Sequence, residues 1–406
     1  MIRKVGILAL VACLFLAFLS PGLVQAESGL TILDSSAEVE FPAKLSFNLS
    51  VESDVNITDI RLHYTVDQIS FAQVTSEVYI EFVPAKSVDA EWTWDMRRTG
   101  GLPPGSTVEY WWTVEDASGD RLETATSQVQ FDDIRYHWQS LTEGEVTIYW
   151  YEGGESFARE VMAAAHQAMA RLAEDTGARL EEPAKLYIYA SAEDLRGAMI
   201  YPQEWTGGVA FTEHGTIAIG IAPAELTWGK RAIAHELAHL VIHQMTLNPY
   251  IGLPTWLDEG LAMYAEGSLE QPLVAYLNKA IAQNRLISVR SLSSPFSAYA
   301  EEAVLAYAQS YSLVEFLIST YGQGKMLELL NTFRQGSGYD EALNKVYGFD
   351  MDGLDALWRD YVSAPARLIE EKGMHPALIG VLAALGVAVL LGIGLAIRRR
   401  VRSQSQ

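Results

Sequence analysis

The string His235-Glu236-Leu237-Ala238-His239 sets two imidazoles four residues apart with a carboxylate beside the first. On a helix, residues at this spacing stand one turn above the other on the same face, so both rings can reach a single ion. Imidazole nitrogen is a good zinc ligand, and a flanking carboxylate that stays off the metal can take a proton from water. The sequence from about Glu225 to Leu247 reads as helix throughout, which supplies that geometry. Zinc needs a third protein ligand, and Leu253-Pro254-Thr255-Trp256-Leu257-Asp258-Glu259-Gly260-Leu261-Ala262 follows downstream. Thr255 with Asp258 three later forms a capping-box pattern after proline, which starts a second helix near Thr255 and puts Glu259 in its first turns. Asn248-Pro249 ends the first helix, and residues 240 to 258 suffice for an antiparallel return that brings the Glu259 carboxylate down beside His239. His243 continues the helical series, but ~12 Å along the axis from His235 is too far to share one ion, so it belongs to packing or surface.

His-Glu-x-x-His followed by Trp256-Leu257-Asp258-Glu259-Gly260-Leu261-Ala262 resembles the gluzincin clan of zinc metallopeptidases, most closely the peptidase MA-like families. The spacing equals that of thermolysin-type enzymes and is one longer than in aminopeptidase N-type enzymes, whose Trp-Leu-x-Glu-Gly string is the closer match. Ala306-Tyr307-Ala308-Gln309-Ser310-Tyr311-Ser312-Leu313-Val314 is similar to a helix that follows the glutamate helix in MA-like proteins. Together the matched stretches run from about residue 205 to 335. The resemblance implies that His235, His239 and Glu259 hold one Zn2+ and that Glu236 is the general base acting on a water. It also implies a donor for the developing oxyanion, Tyr307 in preference to Tyr311. Aminopeptidase N-like enzymes carry a Gly-x-Met-Glu-Asn loop whose acid grips the substrate amine. Gly207-Gly208-Val209-Ala210-Phe211 lacks that acid, so endopeptidase action on a peptide or protein is the expectation. Gly215 to Ile221 is the expected edge strand for an extended substrate, with His214 on the surface beside it.

Two kinds of element must position these groups. Residues 30 to 132 alternate apolar and polar in short runs, Lys44 to Val51, Ile60 to Val66, Val78 to Val83 and Val108 to Val114, separated by turn-rich pieces such as Gly100-Gly101-Leu102-Pro103-Pro104-Gly105. That spacing predicts an antiparallel β-sandwich, and Tyr110 to Gly119 resembles a late strand and hairpin of immunoglobulin-like or fibronectin type III-like domains. Trp92, Trp94, Trp111 and Trp112 are expected in its core. Beyond Arg135 the pattern predicts strands around Val146 to Tyr151, a helix from Ser156 to Asp175, strands at Leu186 to Tyr189 and Gly215 to Ile221, and then helices almost throughout. This is an α+β domain with its strands early and its helices late.

At 406 residues, with 49% hydrophobic content, the chain has material for two globular units. Its formal charge is −22, and six of its 29 basic residues, Arg3, Lys4, Arg398, Arg399, Arg400 and Arg402, lie at the two ends. An acidic body of this size repels nucleic acid and anionic headgroups, and the sequence offers no basic patch, so a nucleic-acid partner is excluded. The single cysteine, Cys13, sits in an N-terminal apolar run and leaves the mature chain without disulfides.

Residues 1–26 have a basic start, an apolar stretch and Val24-Gln25-Ala26, the pattern of a cleaved signal peptide. From Pro376 to Ile397 no strongly polar residue occurs, which is long enough to span a bilayer, and the arginines that follow place the tail 398–406 in the cytoplasm. Gly380, Ala384, Ala388, Gly392 and Ala396 form a small-residue stripe suited to a dimer of spans, although such residues are common in membrane helices. The expected order is signal peptide, sandwich 27–133, gluzincin-like metallopeptidase domain 134–366, juxtamembrane segment 367–375, transmembrane helix 376–397 and tail. The expected protein is a membrane-anchored zinc peptidase with its domains outside the cytoplasm. The alternative is a catalytically inactive surface adhesion protein that works through the sandwich.

Overall fold

A computed structural model of the chain describes residues 29–364 apart from 204–205 and 298–299. The expected signal peptide, juxtamembrane segment, transmembrane helix with its small-residue stripe, and tail lie outside the described residues. No described helix is long and apolar enough to cross a membrane.

The first part is built from strands β1 Thr31–Glu40, β2 Lys44–Glu52, β3 Ile57–Val66, β4 Ser76–Tyr79, β5 Ser87–Asp95, β6 Ser106–Asp116, β7 Arg121–Glu123 and β8 Ser127–Phe131. They form one sheet in the order β1-β2-β5 and a second in the order β4-β3-β6-β7, with β8 also on β6, all antiparallel. Strict alternation along β2 drives this: Leu45, Phe47, Leu49 and Val51 are buried while the residues between them are not. Facing them are Ile60, Leu62, Val108, Tyr110, Trp112 and Val114.

Two expectations need correction. The run Val78 to Val83 leaves the ladder after Tyr79, because residues beyond it carry the chain from one sheet across to the other. Of the four tryptophans expected in the sandwich core only Trp112 is fully buried. Trp111, its neighbour on the strand, must face the opposite way and stacks on His63 across the outer face, 5.3 Å between ring centroids. Trp92 and Trp94 are half-buried at one end of the interior, where Trp92 lies against Phe47 and Tyr64.

The second part begins with β9 Gln139–Glu143, β10 Val146–Trp150, helix α1 Gly154–Thr176, β11 Ala184–Tyr189, α2 Ala192–Arg196, β12 Gly208–Phe211 and β13 Thr216–Gly220. The helices α3 Leu226–Thr246, α4 Thr255–Ala265, α5 Gln271–Ala282, α6 Val289–Leu292, α7 Ala300–Tyr321, α8 Gln323–Arg334, α9 Tyr339–Tyr347 and α10 Met351–Ser363 complete it. The sheet order is β12-β13-β11-β10-β9, parallel in its centre and antiparallel at both ends. The edges are therefore β12 and β9, and β13, the expected edge, is internal. Burial explains the exchange: Thr216 to Gly220 are all buried, as a strand covered on both faces must be, whereas every residue of β12 is half-buried.

Helices α1 and α3 cover one face of this sheet through Val161, Met162, Ala165, Ile233, Leu237 and Leu240. A larger helical core gathers Trp256, Leu257, Leu261, Val314, Leu329, Leu330 and Trp358. Between the two parts, the fully buried Asp133 carboxylate takes the Arg135 guanidinium at 2.6 Å and the Tyr189 hydroxyl at 3.1 Å. Lys185 Nζ donates to the Gly105 carbonyl at 2.9 Å, and the Ile69 amide to the Glu213 carbonyl at 2.6 Å.

Helix α4 lies close along α7 because Gly260 has no side chain: a Cβ there would stand 2.5 Å from the Ser310 carbonyl oxygen and 2.7 Å from Val314 Cγ2. Gly260→Ala is expected to force the helices apart and to lower stability by ~1–3 kcal/mol. Urea unfolding of the variant reads this directly, and an unchanged midpoint would mean that the contact relaxes without strain.

Candidate metal centre

Helix α3 presents His235, Glu236, His239 and His243 toward α4 and β12. The loop from Leu247 to Pro254 turns the chain back, and α4 begins at Thr255. Its start differs from the capping box read in the sequence. Pro254 is the capping residue, Thr255 Oγ1 donates to the Ser293 carbonyl at 3.3 Å, and Asp258 turns to the histidines instead. Tertiary partners have displaced the local bond.

The structure brings His235, His239 and Glu259 together. Their Nε2, Nε2 and Oε2 atoms face one another at 3.2 Å between the imidazoles, 3.5 Å from His235 to Glu259 and 3.7 Å from His239 to Glu259. Nitrogens bound to one tetrahedral zinc stand ~3.4 Å apart, so these separations fit such an ion. A second observation agrees: Glu259 Oε2 is buried and has no hydrogen-bond partner among the described residues. A buried carboxylate oxygen without a donor is costly, and a cation between it and the imidazoles would satisfy it.

Both imidazoles are oriented from behind. His235 Nδ1 lies 2.8 Å from Glu266 Oε1, and Arg231 holds the other oxygen of Glu266 at 2.9 Å. His239 Nδ1 lies 2.9 Å from Asp258 Oδ1, and His243 Nε2 reaches both Asp258 oxygens at 3.1 Å. In each pair Nδ1–H donates to the carboxylate, which turns Nε2 toward the centre. Burial works against the charged form of His235, yet Glu259 and Glu266 outweigh it and push the ring up to about 10 in the metal-free chain. His239 is likewise raised, burial opposing and Asp258 prevailing. Burial would lift the Asp258 carboxyl, but its contacts with His239 and His243 hold it far below the usual carboxylate range.

Glu236 stands apart from these ligand atoms. Burial, with Glu259 nearby, lifts its carboxyl above the usual value, while His235, His239 and the Ala210 amide pull it down. It lies against β12 at Gly208, where a Cβ would come within 2.8 Å of Glu236 Oε1. Tyr307 comes to the site from α7: burial and the charges of Glu259, Glu236 and Asp258 hold its phenol well above the ordinary range. Tyr311, one turn on, feels Glu315 instead and packs near Tyr264. His243 does not join His235 at one ion; it pairs with Asp258 and can form a second grouping with His239 and Asp258. His214 lies toward the sandwich, its Nδ1 3.4 Å from the Asp67 carbonyl.

Sequence reasoning passed over Asp258, Glu266 and Arg231 as functional groups. A signal existed for Glu266, which stands seven residues after Glu259 and so on the same helical face.

Residues 164–364 match the family model of the peptidase MA superfamily, and this part of the chain belongs to that superfamily. No curated protein matches the chain. Among solved structures it is similar to catalytically inactive OgpA from Akkermansia muciniphila in complex with an O-glycopeptide, at 10% identity over 26% of this chain and 30% of that one, TM-score 0.20. Legionella pneumophila aminopeptidase A in complex with aspartic acid is 12% identical over 82% of this chain and 50% of its own, TM-score 0.38. A carbohydrate-binding module family 56 β-1,3-glucan binding domain is 22% identical over 25% of this chain and 98% of its own, TM-score 0.16. The chain thus spans under a third of OgpA and half of the aminopeptidase.

Glu266→Gln and Asp258→Asn are each expected to weaken metal binding ~10–100-fold by releasing one imidazole. Chelator competition measures this, and unaltered affinity in both would remove the orienting role. His235, protonated at neutral pH without metal, must lose its proton for Nε2 to bind, so apparent zinc affinity is expected to rise as pH increases toward about 10. Titrations between pH 6 and 9 check the sign; affinity falling with pH would contradict it.

Proposed function

We propose that this chain is a membrane-anchored zinc peptidase that hydrolyses peptide bonds outside the cytoplasm, acting as an endopeptidase. The observation that carries the reading is the orphaned Glu259 Oε2 facing two oriented Nε2 atoms, with the raised Glu236 carboxyl beside them. His235, His239 and Glu259 would hold the ion. When bound, zinc supplies Lewis acidity, which makes water nucleophilic near neutral pH and polarises a carbonyl.

Glu236 takes the proton from the attacking water and delivers it to the departing amine. Its lifted carboxyl suits that exchange, since a base far below the working pH would accept a proton poorly. Tyr307 donates to the oxygen that gains charge, its phenol kept protonated by burial and the neighbouring acids. Strand β12 pairs with β13 on one side, and its other edge is where an extended peptide would add main-chain hydrogen bonds. Its residues Gly208–Phe211 include no acid to grip a free amine, which favours cleavage within a chain over removal of a terminal residue. The apolar run from Pro376 to Ile397 and the arginines after it support anchoring, with the sandwich and peptidase parts outside.

The full chain should contain zinc and cleave casein or mixed peptides. Glu236→Gln is expected to keep the metal and lose turnover by several orders of magnitude, while His239→Ala loses the metal as well. Equal cleavage by Glu236→Gln and the parent would demand another base. No cleavage by either would favour the adhesion reading.

A further inference from the structure

From Gly208, which touches Glu236, β12 runs on through Phe211 into the turn Thr212–His214, and both pack along α3. Four residues of strand advance ~13 Å and eight of helix ~12 Å, so Thr212 and Gln244 stand side by side at the same remove from the base. At that place a cavity of about 140 Å³ opens between the two parts of the molecule. Its walls include Leu247, Ile251 and Leu253 from the end of α3 and the following loop, Glu213 from the turn, and Ile69 from the sandwich. Ile69 is held there by its own amide, which donates to the Glu213 carbonyl at 2.6 Å.

Most other polar groups of the wall are already engaged, His243 among them through Nε2 to Asp258. Gln244 Oε1 accepts the amides of Glu181 and Glu182, and its Nε2 donates to the Glu182 carbonyl. The Thr246 hydroxyl donates to the Ile242 carbonyl, and Asn248 closes its own loop through Ile251 and Tyr250. What remains for a visitor is an aliphatic wall, the ring of His243, the Thr212 hydroxyl and the exposed Glu213 carboxylate, the one acid of the lining, which enters no hydrogen bond or ion pair among the described residues.

We infer that this cavity is a specificity site for the substrate, taking a lysine or arginine side chain about three or four residues from the bond that is cut. The inference rests on the peptidase reading of the centre above. About 140 Å³ holds one side chain, and falls short of the ~300 Å³ at which pockets for whole small molecules begin. Lysine and arginine combine an aliphatic stem with a charged tip, matching aliphatic walls with a carboxylate at the rim. The formal charge of −22 favours encounter with basic peptides in general, and Glu213 is the acid that the cavity offers them. In this arrangement the sandwich completes the substrate site by contributing Ile69.

The test is cut-site profiling of the zinc-loaded full chain on a diverse peptide library, compared with Glu213→Lys and Ile69→Ser. The parent is expected to favour Lys or Arg at one fixed position three or four residues from the cut. Glu213→Lys should abolish that preference, with kcat/KM for such peptides falling about fivefold or more. Ile69→Ser should lower the same kcat/KM several-fold, and short peptides that do not reach the cavity should be cut equally by all three. Cleavage without a basic preference, or a preference that survives Glu213→Lys, overturns the site and leaves the peptidase reading standing. Absence of any cleavage by the parent overturns both.

Discussion

The arrangement depends on the bonds made behind the two histidines. An imidazole left to itself rotates and presents either nitrogen; with Nδ1–H given to Glu266 or Asp258, each ring has one orientation and turns Nε2 to the centre, where its lone pair is free once any proton there has left. The two carboxylates come from opposite ends of α4, Asp258 near its start and Glu266 at its C-terminal cap, with Glu259 between them. One short helix therefore supplies a candidate ligand and both orienting acids. Its placement against α3 decides the geometry of the whole centre.

That placement is a packing problem, solved by small residues at the contacts. Gly260 lets α4 approach the backbone of α7, and Gly208 lets the edge strand approach Glu236. Trp256, Leu257 and Leu261 anchor α4 in the helical core, so its polar edge faces α3 while its apolar side is fixed. A chain of contacts thus runs from buried aliphatic side chains to the direction of two imidazole lone pairs.

The parts of the site that follow from local periodicity were readable in the sequence. Two histidines one turn apart share a face on any helix, and Pro254 before Thr255 marks where the next helix starts. What depends on partners distant in sequence was not readable. Strand order placed β12 outside β13 although β12 comes first along the chain, and no property of Gly215 to Ile221 alone reveals its neighbours. Asp258 looked like a cap because local pattern favours that bond, but two histidines on another helix compete for the same oxygens. Trp111 and Trp112 illustrate a rule that sequence could have applied: adjacent strand residues point to opposite faces, so both could not enter one core.

Asp133 carries a consequence for how the molecule could be divided. It sits where the sandwich ends, yet its carboxylate lies in the interior of the following sheet as acceptor for the Tyr189 hydroxyl. A fragment begun just after it would strand that phenol without an acceptor, at a cost of ~1–3 kcal/mol for the orphaned group alone. A division of the chain before Asp133 keeps this acceptor with the second part, and one after it does not. The seam between the two is stitched from inside by this carboxylate, with Lys185 and the Gly105 carbonyl beside it.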